Sequence, residues 1–322
     1  MTVNSVLFDK AGVPTSVEAN RRLARSLKGD QLLWVDILGD ADEARDVAEA
    51  LEIPAILVPD RETSTAPAMV REQGWVRLTV VAIQTPGEGD PARDPIVTRW
   101  IQILAGKNIV VTIHEEQIDA IDALAEQFRD ETGLGVLTAA DLVAGVMDEA
   151  LAIYLRHVEA IERRIDVLDE LAIRGRSAQA YLGHVVALRR RIALLRRSVA
   201  PHREAFGPLA RPDFEVADLG RPWPGLIERL EATTFAIQNV RELLIGSVEL
   251  QQSGTAERAN DVMKRLTLVN AILLPAIVLA GIMGMNFQVG FFDNPANFWV
   301  VLGAMAALAI SILVLARVRG WL

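Results

Sequence analysis

The 322-residue chain contains no cysteine. That excludes disulfides and thiolate metal sites, and removes the softest ligands for zinc or copper. The N-terminus, Met-Thr-Val-Asn-Ser-Val-Leu-Phe-Asp-Lys, lacks the basic-then-apolar pattern of a cleavable signal, so the soluble part is expected to stay in the cytosol. There is no glycine-rich phosphate loop, dinucleotide fingerprint or nucleophile elbow. His157, His184 and His202 form no His-x-x-x-His pair. His114-Glu115-Glu116 comes nearest to a metal or acid–base motif, but it follows a strand and opens a helix, where acids suit the N-terminal dipole. Neither enzymatic activity nor a bound cofactor is expected.

Charge is missing from two long stretches. Residues 266–292 and 295–316 carry no charged side chain, and each run can supply the roughly 20 helical residues that cross a hydrocarbon core. After Val262 the only charges are Lys264, Arg265, Asp293, Arg317 and Arg319, a net of +3. Positions 1–262 hold 29 basic and 41 acidic residues, a net of −12. An acidic, water-soluble portion therefore precedes an apolar tail, and its sign argues against nucleic acid as a partner.

The tail reads as a first span at 266–287, an outer link at 288–297 and a second span at 298–316. Gly290, Asn294, Pro295 and Asn297 make the link a turn, so the spans form an antiparallel hairpin in lipid. Lys264 and Arg265 precede the first span, Arg317 and Arg319 follow the second, and the link has no basic residue. The positive-inside bias then puts both termini in the cytoplasm. Trp299 and Trp321 fit interfacial anchors at the ends of the second span. Pro275 interrupts the first span, either as a kink whose freed carbonyl is satisfied locally or as a hinge.

Residues 1–138 read as an α/β domain. Runs at 32–38 and 75–83 have strand character, and 42–51 is a helix opened by acids and closed before Pro54. Runs at 100–104 and 109–113 flank Ala105-Gly106-Lys107-Asn108, a hairpin turn. Residues 118–128 return to helical spacing. Residues 139–223 form a helical hairpin and a loop, with Ile153, Val158, Ile161, Ile165 and Leu168 as an apolar stripe. Its second helix carries Arg189-Arg190-Arg191 and Arg196-Arg197, expected to pair with Glu159, Glu162, Asp166, Asp169 and Glu170 of the first. Residues 224–265 read as a cytoplasmic stalk helix that runs on into the first span, because no proline follows Pro224 until Pro275. So long a rod implies self-association. Residues 317–322 are a cytoplasmic tail.

The segment from Asn260 through Pro275 to Ala280-Gly281-Ile282-Met283-Gly284-Met285-Asn286-Phe287 resembles the CorA-type divalent metal ion transporter family. Gly284-Met285-Asn286 stands where that family carries its Gly-Met-Asn signature, at the outer end of the penultimate span and before a short loop. The resemblance implies a funnel-shaped homopentamer in the inner membrane, contacting lipid, with the first span around a central pore and the second outside it. It further implies passive flux of Mg²⁺, often also Co²⁺ or Ni²⁺. Gly284, Met285 and Asn286 would form the selectivity filter, with Asn286 meeting the hydrated ion. That suits magnesium, which dehydrates reluctantly. Asn260, Met263, Leu266, Asn270, Leu274 and Ile277 would line and gate the pore, and Glu249 and Asp293 would attract cations. Many relatives carry Met-Pro-Glu-Leu in the outer loop; this chain has Phe287-Gln288-Val289-Gly290 instead. A zinc transporter of the same superfamily and a non-transporting membrane scaffold are the alternatives.

Overall fold

The first part of the chain forms seven strands: β1 (Thr2–Phe8), β2 (Pro14–Ser16), β3 (Leu32–Leu38), β4 (Ala68–Glu72), β5 (Trp75–Gln84), β6 (Val97–Ala105) and β7 (Ile109–His114), of which β7 is buried throughout. They make one sheet in the order β2-β1-β3-β7-β6-β5-β4. Only β3 and β7 run parallel; the other pairs are antiparallel. The expectation of an α/β domain with antiparallel neighbours therefore holds. The computed structural model describes residues 2–10, 14–60, 63, 65–85, 94–130, 137–173, 178–210, 223–285, 290–291 and 294–321.

The chain divides into two units: Met1–Leu171 with Arg176–Ser247, and Ala172–Gly175 with Val248–Leu322. In the first, Leu33, Val35 and Ile37 of β3 and Val111 and Ile113 of β7 pack against Ala44, Ala48 and Leu51, which come from helix α2 (Ala41–Ala50) and its C-cap. Asp40 and Glu43 close α2 with a reciprocal capping box. A short helix, α1 (Arg21–Ser26), precedes β3, and α3 (Asp119–Asp130) follows β7. Phe128 of α3 meets Phe8 and Trp34 edge-on at centroid distances of 5.2 and 6.1 Å.

Two turns set strand register. Gln73 and Gly74 both have positive φ between the paired Glu72 and Trp75, the geometry of a two-residue primed hairpin. At Gly106, between β6 and β7, a Cβ would sit 2.8 Å from the Trp75 ring, so glycine is required there for space.

Four long helices follow: α4 (Ala139–Ile173), α5 (Ala178–Phe206), α6 (Trp223–Met283) and α7 (Ala296–Val318). α4 and α5 lie within the 139–223 stretch read as a helical hairpin and loop, and α6 is one helix of 61 residues despite Pro275. β4 pairs β5 only as far as Thr79, which leaves the next outward-facing peptide of β5 without a strand partner. Side chains from α4 and α5 supply the missing bonds. Val81 N–H donates to His202 Nε2 at 2.9 Å, and the Tyr154 hydroxyl donates to the Val81 carbonyl at 3.0 Å.

Candidate ion path

The long helix α6 presents two seams of opposite character. Leu226, Leu230, Thr233, Ile237, Val240, Leu244 and Ser247 alternate at four and three residues and are all buried in the first unit. Apolar residues at this spacing hold a straight seam against neighbouring elements. Further along α6 most side chains are exposed, among them Met263 (63%), Leu266 (54%), Leu274 (67%) and Ile277 (65%), Asn260 and Asn270, alongside Val262, Val269, Leu273 and Val278. The first six share one helix face, as their spacing in the sequence requires. The residues expected to line a pore thus share one helix face, on a stretch of α6 that its own chain leaves largely uncovered all round.

Both α6 and α7 are long and apolar enough to cross a membrane. Along the second unit's part of α6 and along α7, the buried hydrophobic residues are Leu268 and Ala316. A large aliphatic side chain gains about 1.5–3 kcal/mol on leaving water, so surfaces this apolar are fitted to lipid or to further copies of the chain. Lys264 at the start of the span pairs with Asp261 at 3.1 Å. Arg258 donates to the carbonyls of Ala172 and Ile173 at 3.0 and 3.3 Å, satisfying acceptors at the end of α4.

The outer end is local backbone chemistry. Gly284 N–H donates to the Ala280 carbonyl at 3.0 Å and Met285 N–H to the Ile282 carbonyl at 3.2 Å, closing the last turn of α6. A Cβ on Gly284 would lie 3.4 Å from the Ala280 oxygen, an ordinary contact, so nothing in this chain's own packing demands glycine there. Met285 is half exposed. Asn286 and Asp293, the expected filter amide and outer acid, lie outside the described residues. Asn294 Oδ1 accepts from Ala296 N–H at 3.0 Å in the turn before α7, whose N-cap is Pro295. Glu249 is exposed on α6.

Two expectations about the soluble unit resolve differently. His114 does not contribute to an open acid–base site. It is 3% exposed, with Nε2 3.0 Å from Asp36 Oδ1 and Nδ1 2.7 Å from the Glu116 carbonyl. Thr112 donates to the same Asp36 oxygen and accepts from Trp34 Nε1 at 3.1 Å. Burial pushes the His114 pKa down, but the hydrogen bond and charge of Asp36 outweigh it and hold the value above the ordinary one. Glu116 pairs outward with Arg99 at 2.6 Å. Among the described residues no three carboxylates or imidazoles are placed to hold a metal.

Arg189, Arg190, Arg196 and Arg197 do not make the expected pairing with α4: they are exposed and make no ion pair among the described residues. Arg191 instead donates to the Asp94 carbonyl at 2.6 Å, and Glu159 of α4 lies 3.9 Å from Arg163 of its own helix.

The comparisons agree with this geometry. The cobalt/magnesium transport protein CorA of Thermotoga maritima is 27% identical over 238 residues, 69% of this chain and 64% of that protein, so the match spans less than two thirds of the relative's length. The complete structure of the CorA magnesium transporter from Methanocaldococcus jannaschii aligns over 100% of both chains with a TM-score of 0.69 at 20% identity. The full-length CmaX protein aligns over 98% of this chain and 97% of its own, with a TM-score of 0.63 at 21% identity. The family described as CorA-like Mg²⁺ transporter protein matches residues 29–317, a stretch reaching from before β3 through both apolar helices. With that match covering most of the chain, from β3 through the long helix α6 and into the last turn of α7, the chain belongs to the CorA-like Mg²⁺ transporter family.

Proposed function

We propose that the chain assembles as a homopentamer in the inner membrane, termini in the cytoplasm, and conducts divalent cations, magnesium first among them, down their electrochemical gradient. The observation that carries this reading is the exposed face of α6 from Asn260 to Ile277, polar and apolar by turns, on a helix that is itself long enough to span the membrane. A helix that merely anchored a scaffold would need hydrophobicity alone, and Asn260 and Asn270 on one uncovered face serve no such end. Met263 and Leu266 would form a constriction able to close by losing its water, and a ring of Asn286 amides would hold the ion through its hydration shell. Asp293 would draw cations to the outer mouth.

No nucleotide is needed. A membrane potential of 100 mV is worth ~2.3 kcal/mol per charge, and twice that for a divalent ion. The test is uptake of Mg²⁺, Co²⁺ and Zn²⁺ into proteoliposomes by the wild-type protein and by Asn286→Ala. Magnesium uptake that the substitution abolishes supports the proposal. Zinc uptake without magnesium uptake moves the chain to a zinc-transporting reading, and no uptake by a correctly assembled oligomer returns it to a scaffold.

A further inference from the structure

Strand β3 reads Leu-Leu-Trp-Val-Asp-Ile-Leu, a single acid inside an otherwise apolar run, and the ion path makes no use of it. Burying a carboxylate is costly unless it is bonded, so the surroundings of Asp36 are informative. β1 and β3 pair Asn4 with Asp36 and Val6 with Trp34, and β1 and β2 pair Val6 with Ser16, so these side chains share one face of the sheet. Between that face and Ile121, Asp122, Ala125 and Phe128 of α3 lies a cavity of about 470 Å³, the size of a small-molecule site. The whole of it belongs to the first unit.

The polar groups of the cavity are held from behind. The Thr112 hydroxyl donates to Asp36 Oδ1 and accepts from Trp34 Nε1, which fixes the carboxylate and the indole relative to each other. His114 Nε2 reaches the same oxygen at 3.0 Å. Asp36 Oδ2 has no partner among the described residues, and its side chain keeps 15% of its surface exposed. His114 Nδ1 meets the Glu116 carbonyl, so the ring carries both protons and balances Asp36. Asp122 is exposed on α3, and two aspartates against one imidazolium leave a net charge of −1. No basic side chain lines the cavity among the described residues. Phe8, Trp34 and Phe128, packed edge to face, make its floor apolar and rigid.

We propose that this cavity binds a small organic monocation, a protonated amine on an apolar body, with the ammonium at Asp36 Oδ2 and Asp122 and the body over Val6 and Ala125. Charge-assisted hydrogen bonds to the carboxylates orient such a ligand, and the net charge of the surround matches a single positive charge. A divalent metal fits less well. It takes six or more oxygen ligands, whereas Val6, Val17, Ala125 and Phe128 make much of the lining apolar.

The test titrates the full-length protein in detergent, by calorimetry, with three probes that share an indole body. Tryptamine carries the ammonium, tryptophol replaces it by a hydroxyl, and indole-3-propionate replaces it by a carboxylate. Tryptamine should bind at least about tenfold tighter than tryptophol, the worth of one charge-assisted hydrogen bond, and indole-3-propionate should not bind. Asp122→Asn, a change at an exposed position, should weaken tryptamine at least about fivefold and tryptophol less than about twofold. Ala125→Phe, which fills the cavity from α3, should abolish binding of both, and thermal unfolding like that of wild type shows that each variant folds. Equal affinity for tryptamine and tryptophol, or tryptamine binding that survives Ala125→Phe, would overturn the site. Displacement of tryptamine by Mg²⁺, but not by NaCl of equal ionic strength, would also overturn it by making the aspartates a metal site. None of these results touches the ion-path reading, which Asn286→Ala tests separately.

Discussion

At the scale of single residues, the imidazole of His202 completes hydrogen bonding that the sheet leaves undone. Its Nε2 accepts from Val81 N–H while its Nδ1, 3.1 Å from the Val199 carbonyl, donates to it, so the ring must be neutral. Burial pushes its pKa down to about 4. Below about pH 6.5 the unfolded chain takes up a proton that the folded chain refuses. Stability from this group is therefore complete above pH 6.5 and declines as pH falls toward 4, by up to about 3 kcal/mol. His114, raised by Asp36, has the opposite sign: its contribution is full below pH 6.5 and is lost as pH rises through its folded value. Unfolding of the protein in detergent between pH 4 and 7 should show the acid-side loss in wild type and a flatter profile in His202→Gln. Hydrogen exchange at the Val81 amide should quicken in that variant, whereas an unchanged exchange rate would show that the bond holds nothing in place.

At the scale of elements, α6 makes two predictions that differ by face. Leu230 is 0% exposed in the buried seam, so Leu230→Ala should cost roughly 2–5 kcal/mol of folding stability in denaturant titrations. Leu274 is 67% exposed, and Leu274→Ala should leave unfolding of the soluble unit unchanged while altering ion flux. Equal destabilisation by both would mean that Leu274 packs inside the protomer after all. In the β6–β7 turn, Gly106→Ala must push aside the Trp75 ring, an overpacking cost of about 1–3 kcal/mol.

At the scale of the whole molecule, what could be read in advance depended on where the determining information lies. The strands β3 and β5, the β6–β7 hairpin and the run of α6 into the membrane were legible because each carries its own periodicity. β1 was not. Asn4 and Ser5 interrupt its pattern, and its strand identity comes from pairing with β3 along seven residues. β4, with Arg71 and Glu72 among its five residues, is likewise made a strand by β5. The arginine clusters misled because helix rotation, set by seams buried in tertiary packing, decides which charges meet. That Met263 to Ile277 share one helix face was legible from spacing; their reading as a pore lining came from the resemblance. The outer mouth at Asn286 rests on the Gly-Met-Asn resemblance, as that residue is outside the described ones.

The central claim is that copies of this chain enclose a passive, divalent-selective path. Its most direct test is the reversal potential of the purified protein in a planar bilayer, without nucleotide, as the Mg²⁺ gradient is varied. A path selective for a doubly charged ion should shift its reversal potential by about 30 mV for each tenfold change in gradient. No conductance, or a reversal potential indifferent to the Mg²⁺ gradient, would contradict it.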